Sequence, residues 1–125
     1  MTDNLRPRST EDPLDIEGLS AYCGGKKDFV QKLLDAFVQV GPLYFKELSL
    51  AVESGKVEET RTICHKIRGA GSVVRAELLL EIVAQIRQSA IDVDFDRAKA
   101  LLPDLEKAFS DVADYIKKLG TIPPR

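Results

Sequence analysis

His65 is the only histidine in the chain, and its type and neighbours make it the residue best suited to chemistry. An imidazole can act as a covalent nucleophile, a general acid or base, or a metal ligand. A single imidazole builds neither a multi-histidine metal site nor a pair of histidines that exchange protons. Any histidine chemistry of this protein must therefore pass through His65.

Cationic and small residues surround His65 at helical spacing. Arg61 lies four residues before it and Arg68 three residues after it, while Gly69 and Ser72 follow at four and seven residues. Residues at these separations share one face of a helix, so two permanent cations flank the imidazole. The presence of Gly69 inside a helix calls for an explanation, because glycine destabilises a helix by about 1 kcal/mol relative to alanine. On the strip beside His65, a missing side chain would let another molecule approach the ring closely.

Apolar residues recur every three or four positions in five segments, which indicates amphipathic helices. A short leading helix begins around Leu14 and stops before Gly24-Gly25. The expected buried positions of the four longer helices are Val30, Leu33, Phe37, Val40, Tyr44, Leu48 and Ala51; Val57, Thr60, Cys64, Ile67, Gly71 and Val74; Leu79, Val83, Ile86 and Ala90; and Phe95, Ala98, Leu102, Leu105, Phe109, Val112, Ile116 and Leu119. No segment has the alternation of half-buried strands.

Amphipathic helices joined by short connections bury their apolar stripes by packing antiparallel. We therefore predict an all-α fold, an antiparallel up-down four-helix bundle with a short additional N-terminal helix. Gly41-Pro42 and Pro103 predict bends, because proline donates no backbone hydrogen bond. The bundle is expected over residues 14–120, between a flexible N-terminal tail, 1–13, and a C-terminal tail, 121–125.

The helical phase separates His65 from the core. At roughly 100° per residue, the buried stripe that contains Cys64 is centred about 140° away from His65. The ring should therefore face solvent, whereas Cys64 is a small core residue. A surface histidine is usually an ordinary solvated side chain, but here it coincides with flanking arginines and a helix-weakening glycine. That conjunction favours an exposed covalent or docking site.

Composition argues against several other classes of function. The 125 residues, 44% of them hydrophobic, suit one domain. A net charge of -2 leaves no basic excess for nucleic-acid phosphates. No run approaches the roughly 18 apolar residues of a membrane span, and the N-terminus has no signal-peptide pattern. Two cysteines, Cys23 and Cys64, fit a reducing compartment. We expect a cytoplasmic monomer.

The residues around His65 resemble a known signature. Residues 64–72, CHKIRGAGS, are similar to the motif of histidine-containing phosphotransfer (HPt) domains, which is His, any residue, an apolar residue, Lys or Arg, then Gly. Residues 15–19, DIEGL, and Gly24-Gly25 resemble the leading helix and turn of that family. Ser54-Gly55 resembles the turn before its active-site helix. The resemblance covers about residues 14–119, although only the short motif is specific.

The resemblance implies a four-helix bundle and a covalent phosphocarrier without kinase activity of its own. His65 would be the phosphoacceptor, and Arg68 the basic residue beside the phosphoryl group. Gly69 would be the bare surface for the partner. Beyond what the resemblance implies, we expect Arg61, Lys66 and Ser72, which lie near His65, at the partner contact as well. The partners would be receiver domains of response regulators or hybrid sensor kinases. Those domains would supply the phosphoaspartate and the Mg²⁺, so this chain would bind no cofactor of its own.

One position departs from the family pattern, and two other functions compete. Many members have a second glycine ten residues after the histidine, where this chain has Arg75. This puts in question the path between the third and fourth helices.

A non-phosphorylated helical adaptor could dock a signalling partner on the same face, although it would not need His65. A histidine-kinase dimerisation domain usually has an acidic residue after the histidine, where this chain has Lys66, and no ATP-binding segment is present.

Overall fold

The computed structural model describes residues 12–120, which form five helices and no strand. The helices are α1 (Ile16–Tyr22), α2 (Lys27–Glu53), α3 (Val57–Val74), α4 (Glu77–Ile91) and α5 (Phe95–Gly120). The predicted all-α class is confirmed. The predicted tails, 1–13 and 121–125, lie outside the described residues except for Asp12 and Pro13.

The four long helices form a closed antiparallel bundle. Each of α2, α3 and α4 packs against the helix that follows it, and α5 returns to α2. The connections are only three, two and three residues long, which forces neighbouring helices to run in opposite directions. The short helix α1 packs against α2 and α3. The predicted up-down four-helix bundle with an additional N-terminal helix is therefore confirmed.

The core follows the predicted apolar stripes. Leu48, Ile67, Ile86 and Leu105, one from each long helix, are fully buried. Their burial removes apolar surface from water, which is the main favourable contribution to folding. The predicted stripes were incomplete, because the core also includes Leu34, Val52, Ile63 and Ile82. Eight of the positions expected to be buried are only half-buried: Val30, Leu33, Val40, Tyr44, Val57, Phe95, Phe109 and Leu119.

Both prolines at the predicted bends lie inside uninterrupted helices. Pro42 lies within α2 and Pro103 within α5. Next to Pro42, Gly41 lets these two helices approach closely, because a Cβ at that position would lie 3.1 Å from Cδ1 of Phe109. The ring of Phe109 in turn packs on that of Phe37 with 5.7 Å between centroids. At this contact, aromatic rings of α2 and α5 stack beside the bare backbone of Gly41.

Arg75, which stands where many family members have glycine, adopts the backbone conformation that glycine favours. It follows α3 in the left-handed conformation, with φ 61° and ψ 46°, which glycine adopts without strain. The backbone N–H of Ala76 donates to the carbonyl of Gly71 at 2.9 Å, so the turn closes as it would with glycine. The Arg75 carbonyl also accepts the Asp15 N–H at 3.2 Å, which ties α1 to this turn. Arginine at this position therefore does not prevent the tight turn between α3 and α4, although its backbone conformation is strained.

Candidate functional site

Helix α3 presents one buried side and one exposed side. Thr60, Cys64, Ile67, Gly71 and Val74 are buried, as the periodicity predicts. The buried Thr60 hydroxyl donates to the Lys56 carbonyl at 2.7 Å, so this hydroxyl is paired inside the core. His65 lies on the exposed side. The predicted helical phase is correct, and the imidazole is accessible to another molecule.

His65 lies in a shallow pocket rather than on a flat surface. The pocket has a volume of about 440 Å³ and is lined by Glu58, Arg61, Thr62, His65, Lys66, Arg68 and Arg87. Four of these seven side chains carry a positive charge at neutral pH, against one negative charge. A surface of this kind suits an anionic group at the imidazole.

The two arginines that the sequence places beside His65 differ in the structure. Arg61 is half-buried, and its Nη1 lies 3.3 Å from Oε2 of Glu58, one turn earlier on the same helix. Arg68 is exposed and makes no ion pair with any residue in 12–120. Both arginines flank His65 as expected, but Glu58 offsets the charge of Arg61. Arg68 is left with its charge available.

Two glycines on α3 have opposite surroundings. A Cβ added at Gly69 would meet no heavy atom within 4 Å. At Gly71 it would lie 3.0 Å from Cδ2 of Leu80 and 3.2 Å from Cδ2 of Leu79. Gly71 therefore allows close packing of α3 against α4, as predicted. Gly69 is bare towards solvent, also as predicted, and packing does not explain its presence in the helix.

The remaining predicted site residues extend the exposed strip along α3. Lys66 is exposed and lines the pocket with His65. Gly69 and Ser72 are exposed but lie outside the pocket, towards the end of α3. The structure thus groups Arg61, Lys66 and Arg68 around His65, and leaves a small-residue surface next to that group.

Arg87 is a pocket residue that the sequence reasoning missed. It belongs to α4 and is half-buried between the core side and the exposed side of that helix. The antiparallel turn offered a signal: His65 lies ten residues before Arg75, and Arg87 lies eleven residues after Ala76. Positions at nearly equal distances from a tight turn, here ten and eleven residues, lie at nearly the same level of an antiparallel helix pair.

Cys64 is the immediate neighbour of His65 in sequence but not in environment. The side chain is fully buried, and burial raises the pKa of the thiol from 9.0 to about 12. The charge of Arg87 opposes this increase in pKa. Since the thiolate is the nucleophilic form of cysteine, Cys64 is inert near neutral pH. Within residues 12–120, no group of His, Cys, Asp and Glu side chains could hold a metal ion.

Comparison with known proteins bears directly on this arrangement. The sequence matches no protein-family model and no curated protein. The fold is similar to the crystal structure of histidine-containing phosphotransfer protein B (HptB) from Pseudomonas aeruginosa PAO1, with a TM-score of 0.79 and 27% sequence identity. The similarity covers 87% of this chain and 95% of that chain.

The resemblance to the HPt family is confirmed. The match spans nearly the whole of the HptB chain, so it includes the bundle and not a single helix pair. Helix α3 carries His65, Arg68 and Gly69, the residues that resemble the HPt motif, on its exposed side. None of the helices described between residues 12 and 120 is long and apolar enough to cross a membrane.

Proposed function

We propose that this chain is a histidine phosphotransfer protein of a multistep two-component phosphorelay. His65 would carry a phosphoryl group between aspartates of receiver domains, which belong to response regulators or hybrid sensor kinases. The observation that carries this proposal is an exposed histidine in a cationic pocket on the motif helix of an HPt fold. We further propose that the protein acts in the cytoplasm as a monomer.

The transfer step needs little from this chain beyond position and charge. The lone pair of the unprotonated ring nitrogen of His65 forms a bond to phosphorus, and the bond from phosphorus to the aspartyl oxygen breaks. The bonding electrons leave on the aspartate carboxylate, and the proton on the other ring nitrogen stays in place. In the transition state, negative charge spreads over the three equatorial oxygens of the phosphoryl group. Arg68 would donate charge-assisted hydrogen bonds to these oxygens.

The partner would supply the remaining parts of the site. A receiver domain would bring the phosphoaspartate, the acidic pocket around it and the Mg²⁺ ion that this pocket holds. Lys66, Gly69 and Ser72 would meet the receiver along the exposed strip of α3, with Arg61 at its edge. Gly69 matters most for close approach, because its Cα is bare. This protein would then be a covalent carrier and not a kinase.

Phosphoryl transfer from receiver domains tests this proposal. Receivers from the host organism are phosphorylated with radiolabelled acetyl phosphate, which transfers its phosphoryl group to the aspartate and releases acetate. They are then mixed with the purified protein, and the protein is tested for a label that is lost in acid, as phosphohistidine is. The wild-type protein should take up the label, and His65→Gln should take up none. Helical content and melting temperature should stay almost unchanged in the variant, because His65 lies outside the core.

Two outcomes would contradict the proposal. Label retained on the His65→Gln protein would mean that another residue is the phosphoacceptor. Stable binding of a receiver by both proteins, without label on either, would favour the non-phosphorylated adaptor. In that case the exposed strip of α3 would serve docking alone.

A further inference from the structure

Arg87 brings a charge from a second helix into the pocket of His65. The pocket residues Glu58, Arg61, Thr62, Lys66 and Arg68 all come from α3, whereas Arg87 comes from α4. The two helices are packed against each other along their lengths. The position of Arg87 relative to His65 is thus fixed by the bundle, and not by the flexibility of one exposed helix face.

The charges in this pocket are not balanced. Arg61 is paired with Glu58, the only acidic residue of the pocket. Neither Arg68 nor Arg87 forms an ion pair with a residue in the part of the chain that the structure describes. A half-buried guanidinium is partly removed from water, and this is unfavourable unless an anion or an acceptor replaces the lost hydration. Half-buried Arg87 would therefore gain most from an anionic ligand, whereas Arg68 is exposed to water.

The charge of Arg87 also acts on Cys64, the core residue that precedes His65. Burial raises the pKa of the Cys64 thiol, and the guanidinium of Arg87 acts in the opposite direction. Cys64 immediately precedes His65 and points into the core. Arg87 lines the same pocket as His65, and its effect on Cys64 agrees with a guanidinium close to α3.

We propose that Arg87 and Arg68 form an oxyanion site that spans α4 and α3, and that this site binds the phosphoryl group at His65. The inference rests on the proposed function, because its ligand is the group that His65 would carry. Each guanidinium is a planar fork of N–H donors that matches two oxygens of a phosphate. Two forks on different helices can hold different oxygens of one tetrahedral group. Arg87 is then a phosphoryl-binding residue that the motif on α3 does not contain.

Phosphoramidate, a small phosphodonor, tests this site without a receiver domain. Its P–N bond breaks when His65 attacks, and ammonia leaves. The initial rate of His65 phosphorylation is measured over a range of phosphoramidate concentrations, and sulfate is used as a competing tetrahedral dianion. The variants are Arg87→Ala, Arg87→Lys and Arg68→Ala. Arg97→Ala, which removes an exposed arginine of α5 outside the pocket, is the matched control.

We expect Arg87→Ala to slow phosphorylation by about tenfold, which is less than the loss of a fully desolvated oxyanion donor because this pocket is open to water. The sulfate inhibition constant should rise in Arg87→Ala and in Arg68→Ala. Arg87→Lys should recover part of the rate, since lysine keeps the charge but not the fork. Arg97→Ala should behave as the wild type. Melting curves of every variant show whether the bundle is intact.

The results distinguish this inference from the proposed function. If Arg87→Ala matches the wild type in rate and in sulfate inhibition while His65→Gln is inert, Arg87 binds no phosphoryl group, and His65 is still the phosphoacceptor. If Arg87→Ala is slow but sulfate inhibits it as strongly as the wild type, Arg87 acts through structure and the oxyanion site is refuted. If wild-type His65 accepts no phosphate from either phosphoramidate or receivers, both proposals fail.

Discussion

Gly69 offers a test in which stability and function should change in opposite directions. Glycine within a helix is about 1 kcal/mol less favourable than alanine. The site of the added Cβ is empty to at least 4 Å, so Gly69→Ala introduces no clash. The whole gain in helix propensity should therefore appear in the free energy of unfolding. For a bundle of this size, about 1 kcal/mol raises the melting temperature by roughly 4 °C.

Gly71→Ala is the matched control two residues further along the same helix. The same gain in propensity is offset there by the tips of Leu79 and Leu80, which the new Cβ would approach to 3.2 and 3.0 Å. Leu79 is buried and has little space to move. Overpacking of this kind typically costs about 1–3 kcal/mol. We expect Gly71→Ala to be no more stable than the wild type and clearly less stable than Gly69→Ala.

The functional half of the test uses a larger side chain. Gly69→Gln should also melt at or above the wild-type temperature, since glutamine is a good helix former. It should nevertheless accept phosphate poorly from a receiver domain, because the side chain occupies the surface that the receiver must approach. Phosphorylation by phosphoramidate should be unchanged, since that donor is small. Thermal melting and stopped-flow transfer are measured on the same preparation of each variant.

Two results would refute this reasoning about Gly69. A marked loss of stability in Gly69→Ala would place Gly69 in the core and overturn the helical phase from which the exposure of His65 follows. Unchanged transfer from a receiver to Gly69→Gln would show that close approach at this position is not needed. The glycine would then be a simple weakness of the helix.

Three further outcomes can be measured. Arg68→Ala should slow transfer or shorten the phosphohistidine lifetime in stopped-flow assays, with little effect on melting, whereas Arg61→Ala should matter less because Glu58 already pairs with Arg61. If both variants transfer normally, the electrostatic role is wrong. The pKa of Cys64 is raised from 9.0 to about 12, so the unfolded thiol loses its proton first and stability falls between these pH values. That decline, up to about 1.4 kcal/mol per pH unit, should be missing in Cys64→Ala, and identical pH profiles would contradict it. Val93 is 69% exposed with φ 56°. Replacing it with glycine should therefore raise the free energy of unfolding by about 0.5–1 kcal/mol, seen as a higher urea midpoint at constant m. A lower midpoint would show that no strain is stored there.

The sequence alone determined the helices and the side of α3 on which His65 lies. Apolar residues at spacings of three and four fix both the extent and the phase of an amphipathic helix, because burial favours one stripe. The exposure of Gly69 and the inward direction of Gly71 follow from the same phase. The pairing of Glu58 with Arg61 was also within reach, since it joins residues three apart on one helix.

The tertiary structure decided which residues from other helices meet His65. Helical periodicity describes each helix separately. It does not show how one helix is rotated or shifted along its axis relative to the next. The turn at Arg75 and Ala76 sets that level, and the packing of Gly71 against Leu79 and Leu80 sets how closely α3 and α4 approach. Arg87 reaches the pocket because of these two features. The short turn could have indicated the level of Arg87 along α4, but whether its side chain faces His65 depends on the packing of α3 against α4, which the pattern of a single helix does not contain.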